Sequence, residues 1–352
     1  MVSVSDDGGF GGVAAPLGTE PRAPEAANPL KKDGGFGGVA AARRYDQGAP
    51  EAANPPKSND RPVGIFDSGV GGLTVLDSIM KLLPQENLIY FGDTARFPYG
   101  PRPIEEVRRF AFEIIDFMAS QDVKVLVIAC NSMTAAAYRE ATQILEVPVI
   151  GVIEPAVRAA IRATHNRKIG VLGTQATIAS GEYERALAAT RHNVQIFTQV
   201  CAAFVDRVEA GDTFSDELFK LAEEYLGPLL ASDVDTLILG CTHYPLLTGV
   251  LHSVTKGLVE LISSAEEVAK DLYTELVKRS LLRRAHEVGT RRFIVSGDPV
   301  QFHAVGSRFL AGLDNVEHIP VPAGAGGVAA AQTYDSGAPE GANPPNQPAV
   351  NA

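Results

Sequence analysis

Two cysteines of this chain stand where a thiol could take part in chemistry. Cys130 and Cys241 each follow an apolar stretch, and each is followed by two polar residues. A free cysteine is more often a small buried hydrophobe than a reactive group. A thiolate, however, is a good base and nucleophile where a neighbouring group stabilises it. The surroundings of each cysteine therefore decide between the two interpretations.

The two cysteines belong to segments that repeat. "DVKVLVIACNS" (122–132) and "DVDTLILGCTH" (233–243) share Asp, Val, Leu and Cys, 111 residues apart. "VGIFDS" (63–68) and "IGVLGT" (169–174) match at a separation of 106 residues. Two matches at nearly the same separation indicate two copies of one α/β unit, and the paired cysteines make coincidence a poor explanation.

Strands and helices are predicted to alternate around these segments. The pattern predicts a strand and a glycine turn over 61–72, a helix over 73–84, a strand over 87–93, a helix over 103–120 and a strand over 123–130. Continuously apolar strands that are joined by helices are typical of a parallel sheet covered on both faces.

The predicted fold class is α/β, with two pseudo-symmetric parallel-sheet domains that face one cleft. Residues 61–153 plus 262–320 form the first domain, and residues 154–261 form the second. Residues 1–60 and 321–352 are predicted to be disordered tails, because their Gly/Ala/Pro-rich repeats cannot bury enough apolar surface to offset chain entropy.

Open α/β sheets bind ligands beyond the carboxyl ends of their strands. Cys130, Cys241, Asp67 and Thr174 all lie at predicted strand ends. If the two units face each other, these ends meet across one cleft. The two thiols would then approach a bound molecule from opposite sides.

Three kinds of thiol chemistry fit this arrangement poorly. Zinc needs four ligands at a recognisable spacing, and only the C-x-H of Cys241 and His243 is present. A Cys–His hydrolase would pair the same two residues, but it leaves Cys130 and the duplication unexplained. A redox dithiol would need the two sulfurs in contact. The sequence therefore predicts neither a metal nor a cofactor.

Proton transfer at a carbon acid suits two opposed thiols. One thiolate removes a proton from one face of the carbon, and the other thiol delivers a proton to the opposite face, which inverts the stereocentre. An ordinary cysteine has a pKa of about 8.5, so the thiolate needs a base or a cation beside it. Asp67 is the candidate beside Cys130, and His243 is the candidate beside Cys241.

Four motifs in order carry a resemblance to a known family. "GIFDSGVGGLTVL", "DTARFPYG", "ACNSMTAAA" and "LGCTHYPLL" resemble the motif set of the glutamate racemases, cofactor-independent enzymes of the aspartate/glutamate racemase superfamily. The resemblance covers about residues 61–320 and leaves out both tails. It implies two α/β domains related by pseudo-symmetry, with glutamate held between them.

The resemblance also implies roles for individual residues. Cys130 and Cys241 would be the two acid/base residues, and Glu209 would be an acidic residue associated with the second thiol. Ser132 stands where the family usually has threonine, so the hydroxyl is kept. The substrate pocket would be lined by Asp67, Ser68, Tyr99, Gly100, Asn131, Ser132, Thr242 and His243, and the matching turn adds Thr174.

The predicted function is that of an isomerase that interconverts L-glutamate and D-glutamate. The resemblance implies that D-glutamate feeds peptidoglycan synthesis and so the cell wall. A related racemase or isomerase acting on aspartate, a hydantoin or another small diacid is the enzyme alternative. The alternative of another class is a catalytically silent binding protein that acts through its tails.

Composition limits the partners. A formal net charge of −11 and the lack of a dense basic run argue against nucleic-acid binding. No apolar run approaches the roughly 20 residues that span a bilayer, and the first residues do not resemble a signal peptide. Three widely spaced cysteines favour a reducing cytoplasm. We therefore expect a cytoplasmic enzyme with a small-molecule substrate, glutamate, and a homodimer is one expected assembly.

Both tails carry the same repeats. "DGGFGGVAA" occurs at 7–15 and 33–41, and "RYDQGAPEAANPP" at 44–56 returns as "TYDSGAPEGANPP" at 333–345. Such segments are typical of linkers. The functional alternative is a docking motif for a protein partner, with anchors at Phe10, Phe36, Tyr45 and Tyr334.

Overall fold

The computed structural model describes residues 58–321, in which strands and helices alternate in the predicted order. The strands are β1 Val63–Asp67, β2 Leu88–Gly92, β3 Val125–Ile128, β4 Val149–Gly151, β5 Lys168–Gly173, β6 Gln195–Val200, β7 Thr236–Gly240, β8 Glu260–Ser263, β9 Arg291–Val295 and β10 Val316–His318. The repeated tails lie outside the described residues.

Eleven α-helices connect the strands within residues 58–321. They are α1 Leu73–Leu82, α2 Ile104–Ser120, α3 Asn131–Ile144, α4 Ile153–Ala163, α5 Gln175–Ala179, α6 Glu182–Ala189, α7 Ala203–Ala210, α8 Asp216–Ala231, α9 Thr248–Val254, α10 Ser264–Lys278 and α11 Pro299–Gly306. Short 3₁₀ helices occupy Ser58–Asp60 and Tyr244–Leu247. None of the helices in this part of the chain is long and apolar enough to cross a membrane.

The strands form two fully parallel sheets. The first has six strands in the order β10-β9-β2-β1-β3-β4, and the second has four in the order β6-β5-β7-β8. Every residue of β1, β2, β3 and β7 is buried, because helices cover both faces of a parallel sheet. The predicted α/β class with two parallel sheets is confirmed.

The predicted duplication is visible in the strand order. The four strands β2-β1-β3-β4 of the first sheet correspond in order to β6-β5-β7-β8 of the second. The two matched pairs of segments become β1 with β5 and β3 with β7. Even the turns before the cysteine-bearing strands agree, since Asp122 and Asp233 both adopt a left-handed backbone with φ of 51° and 61°.

Two helices cross from one sheet to the other. α4 follows β4 of the first sheet, yet its Ile153 and Val157 pack with Ile169 and Ile238 of the second. α10 follows β8 of the second sheet, yet it packs into the core around Val63. This exchange supports the division into 61–153 plus 262–320 and 154–261, whose boundaries stay a prediction.

The first cysteine lies just beyond its strand. The predicted strand over 123–130 is shorter in the structure, where β3 ends at Ile128. Cys130 is extended, but its carbonyl oxygen accepts a hydrogen bond from the Thr134 amide at 2.8 Å, so the residue already begins α3. The thiol is therefore fixed at a strand-to-helix junction.

Candidate active site

A cavity of about 230 Å³ lies where the carboxyl ends of the two sheets meet. Cys130, beyond β3, and Cys241, beyond β7, both line it. The two thiols are nearly buried, with 6% and 7% of each residue exposed. We call this space the central cavity. Its existence places the two strand-end cysteines at one shared space.

Most of the predicted pocket residues line the central cavity. These are Ser68, Tyr99, Gly100, Asn131, Ser132, Thr174, Thr242 and His243, together with the two cysteines. Asp67 and Glu209 are not in the lining but lie behind residues that are. The two halves contribute equivalent positions, since Ser68 and Thr174 follow β1 and β5.

A histidine and a carboxylate support Cys241. The Nδ1 atom of His243 lies 3.8 Å from the Cys241 Sγ atom, and its Nε2 atom lies 2.9 Å from a Glu209 oxygen. Burial alone would lower the pKa of His243, but hydrogen bonds to Cys241 and Glu209 and their negative charges raise it to about 10. The ring is therefore cationic at neutral pH and lies beside the Cys241 sulfur.

Cys130 has different neighbours. Burial, and then the negative charge of Asp67, raise the pKa of the Cys130 thiol to about 12, although Ser68 and the Met133 amide hydrogen-bond to the sulfur. The Cys130 Sγ atom lies 3.6 Å from the Ser68 hydroxyl. At neutral pH this thiol therefore keeps its proton.

Asp67 is fully buried between the two halves. One of its oxygens accepts a hydrogen bond from the Gly69 amide at 2.9 Å, and the other accepts one from the Thr242 hydroxyl at 3.5 Å. Burial is the main reason that its pKa is raised, against the opposing charge of His243. Asp67 therefore links the loop after β1 to the loop that carries Cys241.

Three hydroxyl groups meet at the wall of the central cavity that Ser132 and Thr174 line. The side-chain oxygens of Ser132, Thr174 and Thr177 lie 3.0 Å from one another in every pairing. Ser132 belongs to α3 of the first half, whereas Thr174 caps α5 of the second half and Thr177 lies within it. Since a hydroxyl both donates and accepts, this triangle can adjust to the charge of a ligand.

The segment between β2 and α2 forms a further wall, and buried Asp93 holds it. The Asp93 carboxylate accepts hydrogen bonds from the Tyr99 hydroxyl, from the Arg96 Nε atom at 2.7 Å and from the Ser296 hydroxyl at 2.6 Å. The carbonyl oxygen of Gly100 accepts a hydrogen bond from the Ala176 amide at 2.8 Å. This wall therefore also contacts the second half.

The sequence interpretation missed several lining residues. They are Phe97, Pro98, Pro101, Gln175, Ala202, Val205, Asp206 and Gly240. Gln175 and Asp206 are exposed, which puts them at the rim of the central cavity. Phe97, Pro98 and Gly240 lie within the quoted motifs, and Pro101 and Gln175 directly follow the predicted residues Gly100 and Thr174, so these five could have been found from their neighbours. Ala202, Val205 and Asp206, at the start of α7, lie outside the four quoted motifs.

Comparison with known proteins identifies the family. A model of the family described as Asp/Glu/Hydantoin racemase matches residues 70–272, which is more than half of the chain. The chain belongs to this family. The match includes strands of both sheets and both cysteines of the central cavity.

Curated relatives of the racemase family match nearly end to end. A glutamate racemase of Acidothermus cellulolyticus is 52% identical over 250 residues, which cover 71% of this chain and 95% of the relative. A glutamate racemase of Mycobacterium leprae is 50% identical over 250 residues, covering 71% of this chain and 92% of the relative. The unmatched remainder of this chain is therefore larger than that of either relative.

Solved structures of racemases share the fold. The glutamate racemase of Bacillus anthracis superposes with a TM-score of 0.71 at 40% identity and covers 75% of this chain and 99% of its own. The glutamate racemase of Francisella tularensis, solved in complex with D-glutamate, gives 0.71 at 34% identity, with the same coverage of 75% and 99%.

Proposed function

We propose that this protein interconverts L-glutamate and D-glutamate by proton transfer between the α-carbon and two thiols. The observation that supports this proposal most strongly is that Cys130 and Cys241, which follow two equivalent strands, line one cavity. Relatives that carry the name glutamate racemase at about half identity support glutamate as the substrate. The enzyme is thus an isomerase of the cofactor-independent kind.

In one direction Cys241 acts as the base. Its thiolate, stabilised by the His243 imidazolium, takes the α-proton, so that a C–H bond breaks and an S–H bond forms. The Cys130 thiol then gives its proton to the opposite face of the carbanion, which breaks S–H and forms C–H. In the reverse direction the roles are exchanged, and Asp67 is the carboxylate near Cys130.

The different surroundings of the two thiols suit this chemistry. A two-base racemase needs one thiolate and one thiol before each turnover. Burial and the Asp67 charge raise the pKa of Cys130 to about 12, and the cationic ring of His243 lies 3.8 Å from the Cys241 sulfur. The proposal therefore assigns the thiol to Cys130 and the thiolate to Cys241 before the first proton transfer.

Carboxylate recognition would use the polar wall of the central cavity. The α3 helix begins at Asn131 and points its N-terminus at the site, where free backbone amides favour an anion. The hydroxyls of Ser68, Ser132, Thr174 and Thr242 can each donate to a carboxylate oxygen. Tyr99 and Gly100 form the facing wall.

We further propose that the enzyme works in the cytoplasm and supplies D-glutamate for peptidoglycan. D-Glutamate is a building block of peptidoglycan, so a glutamate racemase would supply cell-wall synthesis. A homodimer, and a protein partner bound through the repeated tails, remain proposals as well. A pull-down with the isolated tail peptide that recovers nothing would remove the tail partner.

The reaction can be tested by isotope exchange. With no added cofactor, the protein in heavy water should place solvent deuterium at the α-carbon of glutamate, and chiral chromatography should detect both enantiomers. Cys130→Ser and Cys241→Ser should each lower racemisation by at least ~1,000-fold, since a hydroxyl is a far weaker acid than a thiol. Circular dichroism should report an intact fold for both variants.

The same assay separates the alternatives. Faster turnover of aspartate or of a hydantoin than of glutamate would transfer the proposal to those substrates, which the family description also covers. Full activity in Cys241→Ser would refute the two-thiol assignment. Failure of the intact protein to exchange deuterium would favour a binding protein without catalysis.

A further inference from the structure

The buried side-chain amide of Asn131, in the wall of the central cavity, has a hydrogen-bond partner for its oxygen atom but none among the described residues for its nitrogen atom. The Oδ1 atom of Asn131 accepts a hydrogen bond from the Tyr183 hydroxyl at 2.8 Å. Its Nδ2 atom is buried and has no hydrogen-bond partner among the described residues. A buried donor that stays unpaired costs roughly 1–3 kcal/mol, so such groups in a native structure call for an explanation.

The residue that carries the unpaired nitrogen belongs to the wall of the central cavity. Asn131 lines the central cavity and directly follows Cys130, one of the two thiols. An amide nitrogen in this place can donate to a carboxylate oxygen, whereas an amide oxygen would repel it. The orientation of this one side chain therefore decides whether the wall attracts or opposes the proposed substrate.

Tyr183 comes from the other half of the molecule. It lies on α6, its ring is buried, and it packs with Ile169 and Val171 of the second sheet. Burial, and then the charge of Cys241, raise the pKa of Tyr183 above its usual value, so the hydroxyl keeps its proton to donate. The contact to Asn131 thus joins the second half to the first cysteine loop.

The end of β7 leaves room for this hydroxyl. At Gly240, a Cβ atom would lie 3.2 Å from the Tyr183 hydroxyl oxygen and 2.6 Å from the Leu172 carbonyl oxygen. A side chain at this position would therefore press on the tyrosine from the strand that carries Cys241. The glycine lets the hydroxyl sit between the two cysteine-bearing loops.

We propose that Tyr183 is a positioning residue for substrate binding. Its hydroxyl holds Oδ1 of Asn131 and thereby turns Nδ2 toward the central cavity, where it donates to a carboxylate oxygen of the bound amino acid. Tyr183 itself does not touch the substrate. This inference rests on the proposed racemase function and extends it to a residue outside the four motifs.

The test uses Tyr183→Phe, which removes one oxygen atom and keeps the ring. Without the donor, the Asn131 amide is free to rotate, so the KM for glutamate should rise about tenfold, while kcat should change less than about threefold. A loss that falls on KM indicates weaker binding of ground state and transition state alike. Tyr244→Phe is the matched control, because the buried Tyr244 hydroxyl donates to the Cys201 carbonyl oxygen, at 2.9 Å, and not to Asn131.

A double variant distinguishes positioning from general destabilisation. If Tyr183 acts through Asn131, then Asn131→Ala and the double variant Asn131→Ala/Tyr183→Phe should have the same KM. Thermal unfolding checks that each variant is folded. An unchanged KM in Tyr183→Phe, or effects that add in the double variant, would overturn the inference. Lack of deuterium exchange by the unaltered protein would instead overturn the proposed function and this inference with it.

Discussion

At the scale of single residues, His243 is the group whose charge depends most on the fold. It combines full burial with hydrogen bonds to a thiol and to a carboxylate, Cys241 and Glu209. An isolated histidine would be mostly neutral at pH 8, but this one stays cationic. The contacts of His243 with Cys241 and Glu209 therefore make the stability of the fold depend on pH.

The expected pH dependence follows from this raised pKa. Folded His243 holds its proton up to about pH 10, whereas a histidine in the unfolded chain loses it near 6.5. Between these values His243 binds one proton more in the folded state than in the unfolded chain, so its contribution to the free energy of unfolding falls as pH rises, by at most about 1.4 kcal/mol per pH unit. The fall is clearest above about pH 8.5, where a cysteine of the unfolded chain has also lost its proton. Below pH 6.5 this contribution is complete. Urea unfolding at pH 6, 8 and 9.5 measures the slope.

The control for this prediction is His243→Asn, which cannot titrate. Its free energy of unfolding should fall less steeply over the same pH range than that of the unaltered protein. Parallel slopes for the two proteins would contradict the assignment of a cationic, fold-stabilised His243.

At the scale of elements, two turns from different halves approach each other at the site. Gly71 lies just before α1, and a Cβ atom there would lie 2.3 Å from the Thr242 hydroxyl and 2.6 Å from the His243 Nδ1 atom. The Thr74 hydroxyl also reaches the Thr242 carbonyl oxygen at 3.3 Å. The first turn of α1 therefore sets the position of the loop that supports Cys241.

Gly71→Ala should disturb this contact. The added methyl group must displace Thr242 or His243, and a shift of about 1 Å at a catalytic group can cost ~100-fold in rate. We expect kcat/KM for glutamate to fall by at least tenfold. In the control Gly249→Ala, on α9, the added Cβ atom meets nothing within 4 Å, so activity should stay within about twofold. Equal activities of the two variants would show that this approach is not needed.

At the scale of the whole molecule, a buried ion pair ties distant segments together at the amino ends of the first sheet. The Lys124 ammonium lies 2.6 Å from a Glu86 oxygen and donates to the carbonyl oxygens of Asn59 and Leu281, at 2.6 and 2.9 Å. Neither charged side chain is more than 1% exposed. The pair lies at the sheet edge opposite the central cavity, so it should affect stability rather than catalysis.

Removing one partner of a buried pair leaves the other charge uncompensated. Lys124→Met should therefore lower the free energy of unfolding by about 3–5 kcal/mol, as measured by urea denaturation. The exposed pair of Lys81 and Asp77 offers the control, because Lys81→Met should cost less than about 1 kcal/mol. Similar losses in both variants would contradict the structural role of Lys124. The folded molecules of the Lys124→Met variant should racemise glutamate at the rate of the unaltered protein.

The linear order of apolar and polar residues was enough to predict the α/β class, the duplicated unit and the two thiols at strand ends. Local periodicity and strand-end position are properties of neighbouring residues, so they can be recognised in a single chain. Thr174 and His243 were found this way, beside the strand ends that carry them, whereas the resemblance to the racemase family implied Ser68 and Thr242.

Other features depended on how the two sheets face each other. Tyr183 meets Asn131 across 52 residues, and Lys124 meets Leu281 across 157. No repeat or motif predicts such contacts, because they arise from the packing of separate elements. The raised pKa of the Cys130 thiol has the same origin. Burial and the charge of Asp67 cause it, and only the tertiary structure decides both.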